Sequence, residues 1–148
     1  MAITSGSVVL ESGTQATVIS DTSTIADAAF NGATITALTP SDVVPFGDAV
    51  LTVTMSTAPS AGAAFHLYRR DLNIDGTNDA TVPDANYKNI YLGSFPIDLV
   101  TTIQYVSLPG IPLAPDQEFY LENDTGQTTT SSTTTIVKIT PRSYNVKA

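Results

Sequence analysis

Histidine, carboxylates and hydroxyls are the groups with which this chain could do chemistry, and they are thinly spread. His66 is the only histidine, and in Phe65-His66-Leu67 it alternates with two apolar residues, which places it on the face opposite the core of a strand. A histidine so placed reads as structural. Nucleophilic catalysis needs a Ser or Thr beside a base, and no Gly-x-Ser-x-Gly turn is present. Glu118 and Glu122 are near neighbours whose same-strand spacing puts both on one solvated face, and a glycosidase pair would have to be assembled by folding. No phosphate-cradling Gly loop occurs. These residues name no catalytic set, and the chain reads as a non-enzyme without a cofactor.

The densest group of oxygen ligands is Asp71-Leu72-Asn73-Ile74-Asp75-Gly76-Thr77-Asn78-Asp79. It fits the first half of a calcium loop, with oxygen donors at positions one, three, five and nine and Gly at six. The second half fails: Val82 stands where a bidentate Glu is needed, although Asp84 follows closely. Asp, Asn and Gly also make turns for their own reasons, so the stretch is expected to be a turn and not a metal site. Asn123-Asp124-Thr125 matches the glycosylation sequon and is likewise expected to be a turn.

These groups must be positioned by β-structure. The Asp-rich connection separates two β-prone runs, Phe65 to Arg70 and Asn89 to Phe95, the pattern of a long hairpin with an acidic tip. In the run Val50 to Ser56, Leu51, Val53 and Met55 alternate with Thr52, Thr54 and Ser56. Further strands are expected over Thr102 to Leu108, Gln117 to Asn123 and Ile136 to Thr140, with a rigid loop from Pro109 to Asp116 and a stop at Pro141. Thr24 to Phe30 fits two helical turns, and Ala33 to Leu38 alternates toward strand. Residues 1–24, rich in Ser, Thr and Gly, read as an extended N-terminal arm carrying a short strand over Ser7 to Ser12; residues 25–148 then form the domain. Many short strands and no long amphipathic helix predict an all-β protein, an antiparallel β-sandwich or jelly-roll-like single domain.

Composition narrows the partners. The 148 residues include no Cys, so the core must form without disulfides. Residues 1–68 contain no Lys or Arg, and a net charge of −8 disfavours nucleic acid as a partner. The N-terminus lacks a basic, apolar leader and no apolar run approaches membrane length, so a soluble, cytoplasmically made protein is expected.

The run Leu67 to Asp79, followed by Tyr87-Lys88 and Tyr91-Leu92-Gly93-Ser94-Phe95, resembles a segment of small virion proteins of tailed bacteriophages. So does the ending Phe119-Tyr120-Leu121-Glu122-Asn123-Asp124-Thr125-Gly126 with Thr140-Pro141-Arg142-Ser143-Tyr144-Asn145. Together they are similar to the capsid decoration, or cement, proteins that coat a phage head. The resemblance runs over residues 64–146 and implies a structural virion protein on the capsid surface. Its partners would be the major capsid protein and neighbouring copies of itself, as a homo-oligomer on the capsid. Residues 1–63 match nothing and are expected to touch the partner, with the apolar arm residues Ile3, Val8, Val9 and Leu10 as capsid contacts and a strand added to a neighbour. The rival expectation is a carbohydrate- or receptor-binding β-sandwich module of a tail or fibre, whose signature would be clustered exposed aromatics.

Overall fold

The computed structural model describes residues 7–31, 34–35, 46–72, 79–88, 90–114 and 116–147. Nine strands follow in order: β1 Ser7–Ser12, β2 Ala16–Asp21, β3 Thr34–Ile35, β4 Phe46–Val53, β5 Ala64–Asp71, β6 Ile90–Pro96, β7 Gln104–Pro112, β8 Gln117–Asp124 and β9 Thr135–Lys147. They form two antiparallel sheets packed as a β-sandwich. The larger, six-stranded sheet runs β3-β2-β9-β4-β7 with β1 also on β9, and the smaller runs β6-β5-β8. No helix forms among the described residues.

The core lies between the inner faces. Ala49, Leu51 and Val53 of β4 and Val137 and Ile139 of β9 face Phe65 and Leu67 of β5, Phe95 of β6, and Phe119 and Leu121 of β8, all fully buried. Period-2 alternation delivers these side chains to one side of each sheet, and removing them from water is the main force holding the layers together. Met55, beyond the end of β4, continues the same face.

Three of the expected strand boundaries change. Residues 16–21, read as arm, are a strand inside the larger sheet, and Val18 and Ile19 belong to the core. A bulge between Thr17 and Ile19 turns two consecutive side chains inward, which strict alternation hides from a sequence reading. The loop expected from Pro109 continues instead as β7: a bulge opposite Asp48 absorbs the extra residues, Gly110 takes φ 70°, and its N–H donates to Asp48 Oδ1 at 3.0 Å. Pro141 does not end its strand. β1 and β2 lie end to end along the same edge of β9, and Pro141 faces the Gly13–Gln15 gap between them, where no ladder bond needs its missing N–H; its carbonyl accepts from Gly13 N at 2.8 Å.

Thr24 to Phe30, expected to form two helical turns, is irregular and closes the outer edge of β8, whereas the strand expected over Ala33 to Leu38 is present as β3 at Thr34–Ile35. Ala28 N donates to Asn123 O, Asn123 N to Ala29 O and Asn31 N to Leu121 O, at 2.7–2.9 Å, with Phe30 bridged to Glu122. Covering an edge in this way blocks further strand addition there.

Candidate binding surfaces

Strands β5, β6 and β8 position the chain's polar chemistry on the outer face of the smaller sheet. The hairpin pairs His66 with Ser94, and β8 sets Glu122 on the other side of His66. His66 thus lies opposite the core, as its alternation predicts. Its Nδ1 is 2.7 Å from Ser94 Oγ, its Nε2 is 3.1 Å from Asp124 Oδ2, and Tyr91 Oη is 2.5 Å from Ser94 Oγ. All four groups are satisfied if Tyr91 donates to Ser94, Ser94 to Nδ1, and Nε2–H to Asp124.

Ser, imidazole and carboxylate in that order form a nucleophilic array in principle. Two facts weaken the array here. Asp124 is exposed, so water competes for its bond to the ring, and Ser94 Oγ is shared between His66 and the Tyr91 hydroxyl. The sequence held no sign of this grouping, because Ser94 and Asp124 lie far from His66 along the chain and meet it only through the β-register.

Beside this chain sits a buried carboxylate. Glu122 was expected on a solvated face, but Phe30 and Tyr68 flank it and only 5% of its surface stays exposed. Tyr68 Oη donates to Glu122 Oε2 at 2.8 Å, and Lys88 pairs with Oε1 while its ammonium lies 5.9 Å from the Tyr68 ring centre and 6.0 Å from that of Phe30. Burial and then the bond to Glu122 push the Tyr68 hydroxyl well above its ordinary range. Lys88 therefore pins the connection between β5 and β6 to the sheet. Glu118, the other half of the expected pair, accepts from Tyr120 Oη at 2.7 Å and lies 3.5 Å from Arg70.

The Asp-rich connection is tied to arginines at its described ends. Asp71 pairs with Arg69 at 2.7 Å and Asp79 with Arg70 at 3.2 Å, while Asp84 Oδ1 accepts from Asn86 N and Tyr87 N. Asn73, Asp75 and Asn78 lie outside the described residues, and no group of three metal-ligating side chains occurs among the described ones. The Asn123-Asp124-Thr125 stretch was expected to be a turn, but Asn123 and Asp124 close strand β8 and only Thr125 lies past it; Asn123 is fully buried, and its Nδ2 donates to Ile25 O and Gln127 O, so it presents no accessible amide to a glycan.

Of the expected capsid contacts, Ile3 lies outside the described residues, and Val8 and Val9 lie in β1. Leu10 is 45% exposed and pairs across the ladder with Tyr144, itself 64% exposed and 5.5 Å from the Phe46 ring. Strand β1 runs along residues 142–147 of its own chain, so in this structure it completes this sheet and not a neighbour's. Among the described residues, β4 accompanies β9 only as far as Arg142, which leaves Leu10 and Tyr144 on a two-stranded ribbon past that point. A second exposed apolar group, which the sequence reading did not single out, consists of Leu99, Val100, Ile103 and Tyr105, before and at the start of β7.

No protein family, curated protein or solved structure matches this chain.

Proposed function

We propose that this is a structural virion protein, a decoration or cement protein that binds the outside of a phage head and stabilises it. The observation that carries the reading is the N-terminal ribbon, where Leu10 and Tyr144 stand exposed on paired strands beyond the end of β4. A two-stranded ribbon is marginal alone, and apolar side chains displayed on one gain from being covered by a partner. The resemblance of residues 64–146 to phage virion proteins supplies the class of partner, the major capsid protein. A ligand that binds only the expanded shell stabilises it by mass action, without any catalytic step.

Electron cryo-microscopy of particles from the phage encoding the chain is the test, with purified protein added to heads lacking it. Density for the sandwich on the head is expected, and Leu10→Asp should abolish binding while leaving melting unchanged. Because β1 forms six ladder pairs with β9, a point substitution separates docking from folding better than deleting the strand. Density on a tail or fibre only, or full binding by Leu10→Asp, would refute the proposal.

One observation favours the second reading, a carbohydrate- or receptor-binding module. Tyr91 is 55% exposed, 5.6 Å from Tyr68, beside hydroxyl, imidazole and carboxylate groups held in fixed orientation. A glycan array read against Tyr91→Ala tests it; signal confined to the wild type supports this reading over head binding.

A further inference from the structure

Strand β7 ends the larger sheet, and among the described residues it pairs only with β4. The backbone groups of β7 directed away from β4 therefore form an open edge. Natural edges are protected by charge, proline, a bulge or a cover. The opposite fate is visible at β8, whose edge segment 28–31 covers. From Leu99 to Pro115 there is no Asp, Glu, Lys or Arg, so β7 carries no charged gatekeeper. Pro109, Pro112 and the bulge opposite Asp48 protect only its far end. Among the described residues nothing pairs with the outer edge of Gln104 to Leu108.

The approach to this edge is rigid. Asp98 N donates to Gln104 Oε1 at 2.7 Å, Gln104 Nε2 donates to Asp98 O at 3.1 Å and to Val100 O at 3.4 Å, and Val100 N closes back on Asp98 O at 2.9 Å. Gln104 is buried to make these bonds, and the loop it fixes holds Leu99, Val100 and Ile103 outward beside Tyr105, which is 69% exposed. Side chains fixed before binding lose little freedom when they are covered.

We propose that this face is a self-association surface: β7 of one copy pairs antiparallel with β7 of a second, about a two-fold axis near Val106, with the 99–105 apolar group at its flank. The occupant is a second copy because of charge. Two chains of net −8 repel, and they approach at least cost along Gln104 to Leu108, which sets the same uncharged residues opposite each other and presents no carboxylate; the exposed Asp98 lies outside that span, beside Leu99. Antiparallel pairing of one strand with itself satisfies the two-fold symmetry of a closed dimer. Each β7 has one such edge, and pairing uses it on both copies, so this contact closes at two copies. The inference takes its setting from the head-coating reading, which places copies side by side, but its test does not need a head.

Sedimentation velocity of the isolated full chain, over a roughly hundredfold concentration range, reads the equilibrium directly. A concentration-dependent dimer is expected, and Tyr105→Asp or Val100→Asp should weaken it at least tenfold; both side chains are exposed, so melting at low concentration should not change. Leu10→Asp should leave the dimer intact. A wild type monomeric throughout, a dimer indifferent to both substitutions, or one lost in Leu10→Asp would each overturn the proposal. Loss of head binding with the dimer retained would instead count against the function proposed above and leave the β7 contact standing.

Discussion

Tyr68 and Glu122, on neighbouring strands of the smaller sheet, share a hydrogen bond of 2.8 Å in a site nearly closed to water, and the hydroxyl is the donor. Tyr120 repeats the arrangement with Glu118; burial first, and the carboxylate second, push its hydroxyl up to about 12. In the unfolded chain a tyrosine ionises near 10. Both folded values lie above the unfolded one, so the stability these hydroxyls contribute is fully present below about pH 10 and is lost as pH rises above it. Stability should fall by up to about 1.4 kcal/mol per pH unit for each of the two. Urea melts at pH 9, 10 and 11 check this. Tyr68→Phe and Tyr120→Phe should each flatten the decline, and an unchanged slope in both would refute the assignment.

Gly93 sits in β6 at φ 151°, where a Cβ would lie 2.7 Å from Leu108 Cδ1. Its bulge against Leu67 and Tyr68 brings the smaller sheet into close contact with β7. Gly93→Ala should cost about 1–3 kcal/mol through overpacking and backbone strain together. Adding Leu108→Ala should recover only the packing part. Additive losses in the double variant, measured by chemical denaturation, would show that the two residues are not in contact.

Asn123 uses both faces of its amide. It donates to Ile25 O at 2.9 Å and Gln127 O at 2.7 Å, and its Oδ1 accepts from Thr125 Oγ1 at 2.7 Å. Asn123→Asp keeps the acceptor but removes both donors and buries a charge, which should cost about 3 kcal/mol or more. A melting temperature within experimental error of wild type would sink this account.

Calcium should act no differently from magnesium. Binding at the Asp-rich connection would have to break the Asp71–Arg69 and Asp79–Arg70 pairs and free Asp84 from its turn. Either ion at millimolar level should change stability by well under about 1 kcal/mol, the scale of exposed charge pairs. Thermal melts with calcium, magnesium or chelator decide it; a shift of several degrees seen with calcium alone, and lost in Asp75→Ala, would establish a metal site.

The sandwich was legible where alternation is strict. Leu51, Val53 and Met55, and Phe65 and Leu67 about His66, announced their faces in the sequence, and the structure buries them accordingly. Illegible were the places where a bulge breaks the period: Val18 beside Ile19, and Leu108 followed three residues later by Ile111 on the same core. Glu122 was misplaced for a different reason. Its burial depends on Phe30 and Lys88, and only the covering of the β8 edge and the long β5–β6 connection bring them there. The His66 grouping depends on cross-strand register, which no local pattern specifies.

Leu10 and Tyr105 lie near opposite ends of the larger sheet, since Leu10 pairs with Tyr144 past the Phe46 end of β4 while Tyr105 pairs with Thr52 near the other. At about 3.4 Å per residue their separation along the strand direction is roughly 25 Å. A tension applied between them runs parallel to the strands and passes through the β1–β9, β9–β4 and β4–β7 ladders. Those ladders are loaded in shear, so the rungs of each share the force and yield together, whereas the same rungs pulled sideways would open one after another like a zip.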